Sequence, residues 1–163
     1  MANWCTNNIT FNGDKKSISI LEKLVLKTID LENITDKGQL LYSITESDND
    51  IYMFSLNIND VTEEEISLSF ESRWNPSPNH MVRIADIFEL TFEYWYEESG
   101  NCIYGKYNYK NNILTDQCLT EEDVNECRFK EDWDEEDEVS GLNYDLIESM
   151  IEECNPNEVS KPY

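Results

Sequence analysis

The stretch LTFEYWYEESGNCIYGKYNYK, residues 90–110, constrains the fold most. Phe92, Tyr94 and Tyr96 alternate with Glu93, Trp95 and Glu97, the period-two pattern of a strand with one buried face. SGN follows, and it is turn chemistry for a hairpin. CIYGKYNYK reads as the returning strand, with Gly105 marking a bulge or a close backbone approach. A chain built around such a hairpin is a sheet protein.

The remaining segments supply strands and covering helices. CTNNITF places Cys5, Asn7, Ile9 and Phe11 on one strand face, and Asn12-Gly13 breaks it. Asp14 suits the N-cap of a helix over 15–28, with Ile18, Leu21, Leu24, Val25 and Thr28 on one stripe. Leu31 to Gly38 reads as loop. QLLYSIT and IYMFSLNI read as strands joined by SDND, the second with Tyr52, Phe54, Leu56 and Ile58 on one face. ISLSFES alternates through Ile66, Leu68 and Phe70. Ser77-Pro78 forms an N-cap and N1 pair for a helix over 78–88, with Met81, Ile84, Ala85 and Phe88 on its apolar face. This order predicts an α+β sandwich, an antiparallel or mixed sheet with helices on one face. A split βαβ, ferredoxin-like arrangement is the simplest topology.

The texture changes after Cys118. Residues 119–163 hold sixteen acids and three bases, against nineteen and nine in residues 1–118. The predicted division is therefore an α+β domain over 1–118 and an acidic extension over 119–163. Within the extension, Thr120 suits a short helix cap. LNYDLIESMIEEC predicts an amphipathic helix over about 142–154, with Leu142, Leu146, Met150 and Cys154 in one row flanked by Ile147 and Ile151. Asp145, Glu148 and Glu152 form its opposite face.

The formal net charge of −23 bounds the partners. Such a field repels nucleic acid and anionic membranes and attracts basic surfaces. It equals the charge of roughly a dozen base pairs of duplex. Asn, Ile and Lys total 42 of 163 residues, which fits an AT-rich genome better than an acidic halophile. The five cysteines lack paired spacing, which argues against a disulfide framework or a zinc site and fits reduced thiols in a cytosol. The opening MANWCTNN has no signal-peptide pattern. No apolar run is long enough to span a membrane.

No stretch encodes a recognisable reaction. Nucleophile elbow, phosphate loop and zinc-protease motifs do not occur. His80 is the single histidine; pairing with Cys102 or Cys5 is conceivable, but a surface or capping role is the preferred reading. Glu97 and Glu98 are neighbours on a strand and so face opposite ways, a poor basis for shared acid–base work. An EF-hand frame from Asp132 places Asp132, Asp134 and Glu136 correctly, but has Asp137 where Gly belongs and Asn143 where the bidentate Glu belongs. No cofactor and no specific metal site are expected. Trp74, Trp95 and Trp133 suggest a stacking platform for bases, yet the only local basic cluster is Lys15, Lys16, Lys23 and Lys27. Direct nucleic-acid binding is disfavoured.

One feature is left over. In KEDWDEEDEVSG, residues 130–141, seven of the eight positions from Glu131 to Glu138 are carboxylates: Glu131, Asp132, Asp134, Glu135, Glu136, Asp137 and Glu138. The eighth is Trp133. A solvated linker accounts for the charge but not for the indole. An acidic run around one aromatic suits docking on an Arg/Lys groove, with the ring adding apolar or cation–π contact.

MANWCTNNITFNG, RWNPSP and YWYEESGNCIYGKYNY, in that order and spacing, resemble the YubB-type ferredoxin-like domain family of plasmid and phage proteins. The residues that carry the resemblance are Asn3, Trp4, Cys5 and Asn7; Trp74 and Pro76; and Tyr96, Glu98, Gly100, Gly105 and Tyr107. It covers about residues 1–115 and leaves the acidic extension outside. It implies a fold, no established activity, and a mobile-element setting in the host cytoplasm. The expected function is a non-catalytic inhibitor of a host defence system, of anti-CRISPR or anti-restriction type. Its acidic residues Glu131–Glu138 would occupy a basic nucleic-acid channel. Trp74, Glu97 and Glu98 form a second candidate surface. The alternative is an interaction module whose domain binds the partner and whose acidic extension only keeps it soluble.

Overall fold

The computed structural model describes residues 3–35, 53–131 and 139–159. Its chain order begins β1 (Trp4–Asn12), α1 (Lys15–Thr35), β2 (Phe54–Val61), β3 (Glu65–Arg73), α2 (Pro78–Phe88) and β4 (Thr91–Glu98). These strands lie in the order β2-β3-β1-β4, every pair antiparallel. That is the ferredoxin-like βαββαβ arrangement. β5 (Ile103–Lys110) and β6 (Ile113–Cys118) then extend the sheet beyond β4.

One face of this sheet is covered by both helices. Ile9 and Phe11 of β1, Leu68 and Phe70 of β3, and Phe92 and Tyr94 of β4 form one buried cluster. Ile18, Leu21 and Val25 of α1 and Met81, Ile84 and Ala85 of α2 complete it. Each fully buried aliphatic or aromatic side chain contributes about 1.5–3 kcal/mol. Asp14 caps α1 through its side chain, which accepts the Lys16 and Ser17 amides at 2.9 and 3.2 Å. α1 runs on to Thr35 rather than ending at 28; no Gly or Pro stops it before Gly38. Ser77 stands at the N-cap of α2, but its side chain makes no capping bond. Its amide instead donates to the Tyr94 hydroxyl.

β2 departs from simple alternation. A register shift falls between Phe54 and Asn57, and Ser55 has a positive φ. Leu56 joins the core, while Phe54 turns to the other face, edge-on to Trp4 at 5.0 Å. QLLYSIT and Tyr52 lie outside the described residues. β6 was not expected as a strand. Asn111 and Asn112, both at positive φ, join it to β5 as a two-residue turn.

After Cys118 the chain returns to the opposite face of the sheet. α3 (Glu121–Glu126) opens with a reciprocal Thr120–Asp123 capping box. β7 (Arg128–Glu131) and β8 (Val139–Leu142) pair with each other. α4 (Tyr144–Glu153) follows, and β9 (Asn157–Val159) adds to β6 as the last strand of the sheet. A second core forms from Tyr104, Leu119, Val124, Cys127, Ile147 and Ile151. The buried stripe of α4 is thus centred on Ile147 and Ile151, and Leu146 stays 39% exposed. Gln117 donates to the carbonyls of Ile151 and Cys154, tying the end of α4 to β6. No helix among the described residues is long and apolar enough to cross a membrane.

Candidate partner-binding site

The acidic run is not a free end of chain. Glu131 pairs with Val139, so the two flanks of residues 132–138 are strand partners. α3 precedes this ribbon and α4 follows it, and both pack on the sheet. Asp132, Trp133, Asp134, Glu135, Glu136, Asp137 and Glu138 themselves lie outside the described residues. Asn143, the last position of the EF-hand frame, caps α4: its side-chain oxygen accepts the Leu146 amide at 3.2 Å.

The second candidate surface does not hold together. Glu98 is only 2% exposed and sits on the helix-covered side of β4. Its carboxylate accepts the Gly100 and Asn101 amides at 2.8 Å each, closing the β4–β5 turn. Glu97, its neighbour, points to the opposite face. Trp74 is half-exposed at a positive φ, and its amide donates to the Asn3 carbonyl. Glu98 is therefore a turn-building group.

The residues behind the family resemblance share a structural task. Asn7 is fully buried. Its amide donates to the carbonyls of Cys5 and Phe70 and to the Ser72 hydroxyl, and its oxygen accepts from the Tyr94 hydroxyl at 2.7 Å. Tyr94 and Ser72 in turn hold Ser77 and Asn75, so this network pins the RWNPSP segment. Burial pushes the Cys5 thiol up to about 11, with the Ser72 hydroxyl pulling the other way. At Gly100 a Cβ would lie 2.5 Å from the Asn3 side chain. At Gly105 it would lie 2.2 Å from the Tyr96 hydroxyl. The β4–β5 register is unbroken there, so Gly105 marks a close approach and not a bulge.

The sheet face opposite α1 and α2 carries a different chemistry. Trp95 and Lys106 are cross-strand partners. Lys106 is nearly buried, with its ammonium 4.6 Å from the Trp95 ring centre, 3.6 Å from Glu93 and bonded to Glu152 of α4. The Trp95 indole donates to Glu93 at 2.8 Å. A cation is thus already caged by one indole and two carboxylates. Beside this cage a cleft of about 430 Å³ opens between the sheet and α4. Trp95, Glu97 and Tyr104 line one wall and Tyr144, Ile147 and Glu148 the other. Sequence reasoning named Trp95 and Glu97, and Glu148 only as part of the polar face of the last helix, but not Tyr104, Lys106 or Tyr144. The hairpin register would have exposed the Trp95–Lys106 pair; the apolar stripe of α4 signals that it packs on something, but not on which sheet face.

Burial raises the Glu97 carboxyl above its ordinary range. A carboxyl raised in the folded state gives stability that is full below its unfolded pKa and lost as pH rises through the folded one. Glu97→Gln is therefore expected to raise the melting temperature at neutral pH by about 1–2 °C, as a surface change of about 0.5 kcal/mol does. The gain should fade as pH falls below the ordinary carboxylate range. Thermal unfolding against pH, with the exposed Glu122→Gln as a control for net charge, checks this.

No curated protein and no solved structure matches the chain. The family described as a ferredoxin-like domain in Api92-like protein matches residues 51–144. The match starts after α1 and runs through the acidic run, which the motif resemblance had left outside. With the β2-β3-β1-β4 sheet under two helices, and more than half its length matched, this chain belongs to the family of the ferredoxin-like domain in Api92-like protein.

Proposed function

We propose that the protein is a non-catalytic binding module that docks on a basic, nucleic-acid-binding groove of a host defence protein. In its finer form this is an inhibitor of anti-CRISPR or anti-restriction type, encoded by a phage or plasmid and related to YubB-type domains. The acidic residues Glu131–Glu138 take the place of nucleic acid. The observation that carries the reading is the pairing of Glu131 with Val139. Both flanks of the run are held by a ribbon between two packed helices, so less ordering entropy is lost when it docks. A solubilising tail needs no such anchorage.

The test is displacement of duplex DNA from purified CRISPR effectors and restriction endonucleases. Changing the seven carboxylates to Asn and Gln should slow association about tenfold or more, because steering acts on encounter. The difference should shrink as salt rises, since exposed charges are screened over about 8 Å at physiological ionic strength. Trp133→Ala should instead speed dissociation about thirtyfold, the loss of an aromatic anchor worth about 2 kcal/mol. Full displacement by the neutralised protein at physiological salt would reduce the run to a solubilising segment and leave the domain itself as the partner-binding part.

A further inference from the structure

We propose that the cleft between β4, β5 and α4 binds the guanidinium of an arginine side chain presented by a protein partner. The proposal rests on the basic-partner reading for the source of that arginine, but on separate residues for its recognition. Four observations support it. First, the cleft is a concavity of about 430 Å³ and not a flat acidic surface. Secondly, Glu97 and Glu148 both line it, and no Lys or Arg does among the described residues.

Thirdly, Tyr104 is 98% buried, and its hydroxyl has no hydrogen-bond partner among the described residues. Burial pushes this phenol up, Ser99 pulls it back, and Tyr144 and Glu97, which line the same cleft, push it further up. A buried polar group left unpaired costs about 1–3 kcal/mol, and a donor-only ligand relieves it by giving a proton to the phenolic oxygen. Fourthly, the neighbouring cage shows what this face accepts. Lys106 sits against Trp95 with two glutamates around it. The cleft repeats that set with Trp95, Tyr144, Glu97 and Glu148, but with no described Lys or Arg among them.

Arginine suits the cleft better than lysine. A guanidinium is planar, stacks on indole and phenol rings, and offers five donors in a fixed fork. Its fork of donors suits a wall that offers carboxylates and a phenolic oxygen beside aromatic rings. An ammonium is a compact, strongly hydrated point charge and cannot fill the same width.

The test uses the full chain and capped single amino acids, followed by the Trp95 indole N–H resonance, which is assigned with Trp95→Phe. Capped arginine should shift it saturably in the millimolar range, the affinity about 15 heavy atoms can supply. Capped citrulline, isosteric but neutral, should bind at least about tenfold more weakly, one charge-assisted contact being worth about that much. Capped lysine should also be weaker. Glu148→Gln and Tyr104→Phe should each weaken arginine binding, while Glu122→Gln should leave it unchanged. The protein with a neutralised Glu131–Glu138 run should bind capped arginine as wild type does, which separates this site from the run. No saturable shift, equal binding of citrulline or lysine, or indifference to Glu148→Gln would overturn the proposal.

Discussion

Asn7→Leu is expected to cost about 3 kcal/mol or more of folding stability. The side chain is fully buried and makes five hydrogen bonds, one of them accepted from the Cys5 thiol. Leucine fills the volume but returns none of them. The Tyr94 proton loses its acceptor, and the Cys5 carbonyl loses the amide donor that met it. Each buried group stranded in this way costs about 1–3 kcal/mol. For a chain of this size each kcal/mol lowers the melting temperature by about 2–4 °C, so a fall of about 6–12 °C should appear in thermal unfolding. Tyr94→Phe removes the stranded proton in advance. The double variant should therefore lose less than the sum of the singles, as residues in one network do. Additive losses would mean that these bonds do not act as a unit. Because the same network holds Ser77 and Asn75, the fluorescence of Trp74 should change in Asn7→Leu.

Gly105→Ala should be nearly as severe, for a steric reason. The new methyl would meet the Tyr96 hydroxyl at 2.2 Å, its ring carbon at 2.5 Å and the Gln117 carbonyl at 2.7 Å. Overpacking of this kind costs about 1–3 kcal/mol. Moving the Tyr96 ring also breaks its 2.9 Å bond to Asp116. Burial already raises the Asp116 carboxyl, and the Tyr96 hydroxyl pulls it back. Losing that bond raises it further. Stability tied to a raised carboxyl is lost as pH rises through its folded pKa, so the deficit should be larger at neutral pH than in acid. Tyr96→Phe in the same chain should give partial relief only, since the Gln117 carbonyl is backbone and stays. Urea unfolding at two pH values reads both effects.

Much of the fold was legible because local signals agreed. The alternation in β1, β3 and β4, the SGN turn and the apolar stripe of α2 all point to one sheet with helices on one side. What escaped notice depended on partners distant in sequence. β6 has weak alternation, and its mark is the Asn111-Asn112 pair, a turn signal that only means something once β5 is a strand. The face reversal at Phe54 needs the register shift at Ser55, which composition does not encode. In α4, spacing alone favoured the Leu146 row. The burial of Ile147 and Ile151 was decided by Tyr104 and Leu119, on the sheet face opposite α1 and α2. Glu98 looked like a surface acid because turn-closing carboxylates carry no composition signature. Among the site residues, Glu97 and Trp95 were visible as strand neighbours, whereas Tyr144 and Glu148 reach them only through the return of the chain.

That return makes the acidic run exchangeable. Glu131 and Val139 are paired across the ribbon, with seven residues between them. Closing a loop between fixed ends costs entropy that grows only with the logarithm of its length, about 0.6 kcal/mol for each doubling. Fourteen residues in place of seven would thus tax the fold less than the loss of one buried methylene. The segment can be rewritten, lengthened or changed in sign while the carrier stays folded. The same arithmetic makes position 131–139 a place to graft a foreign recognition loop.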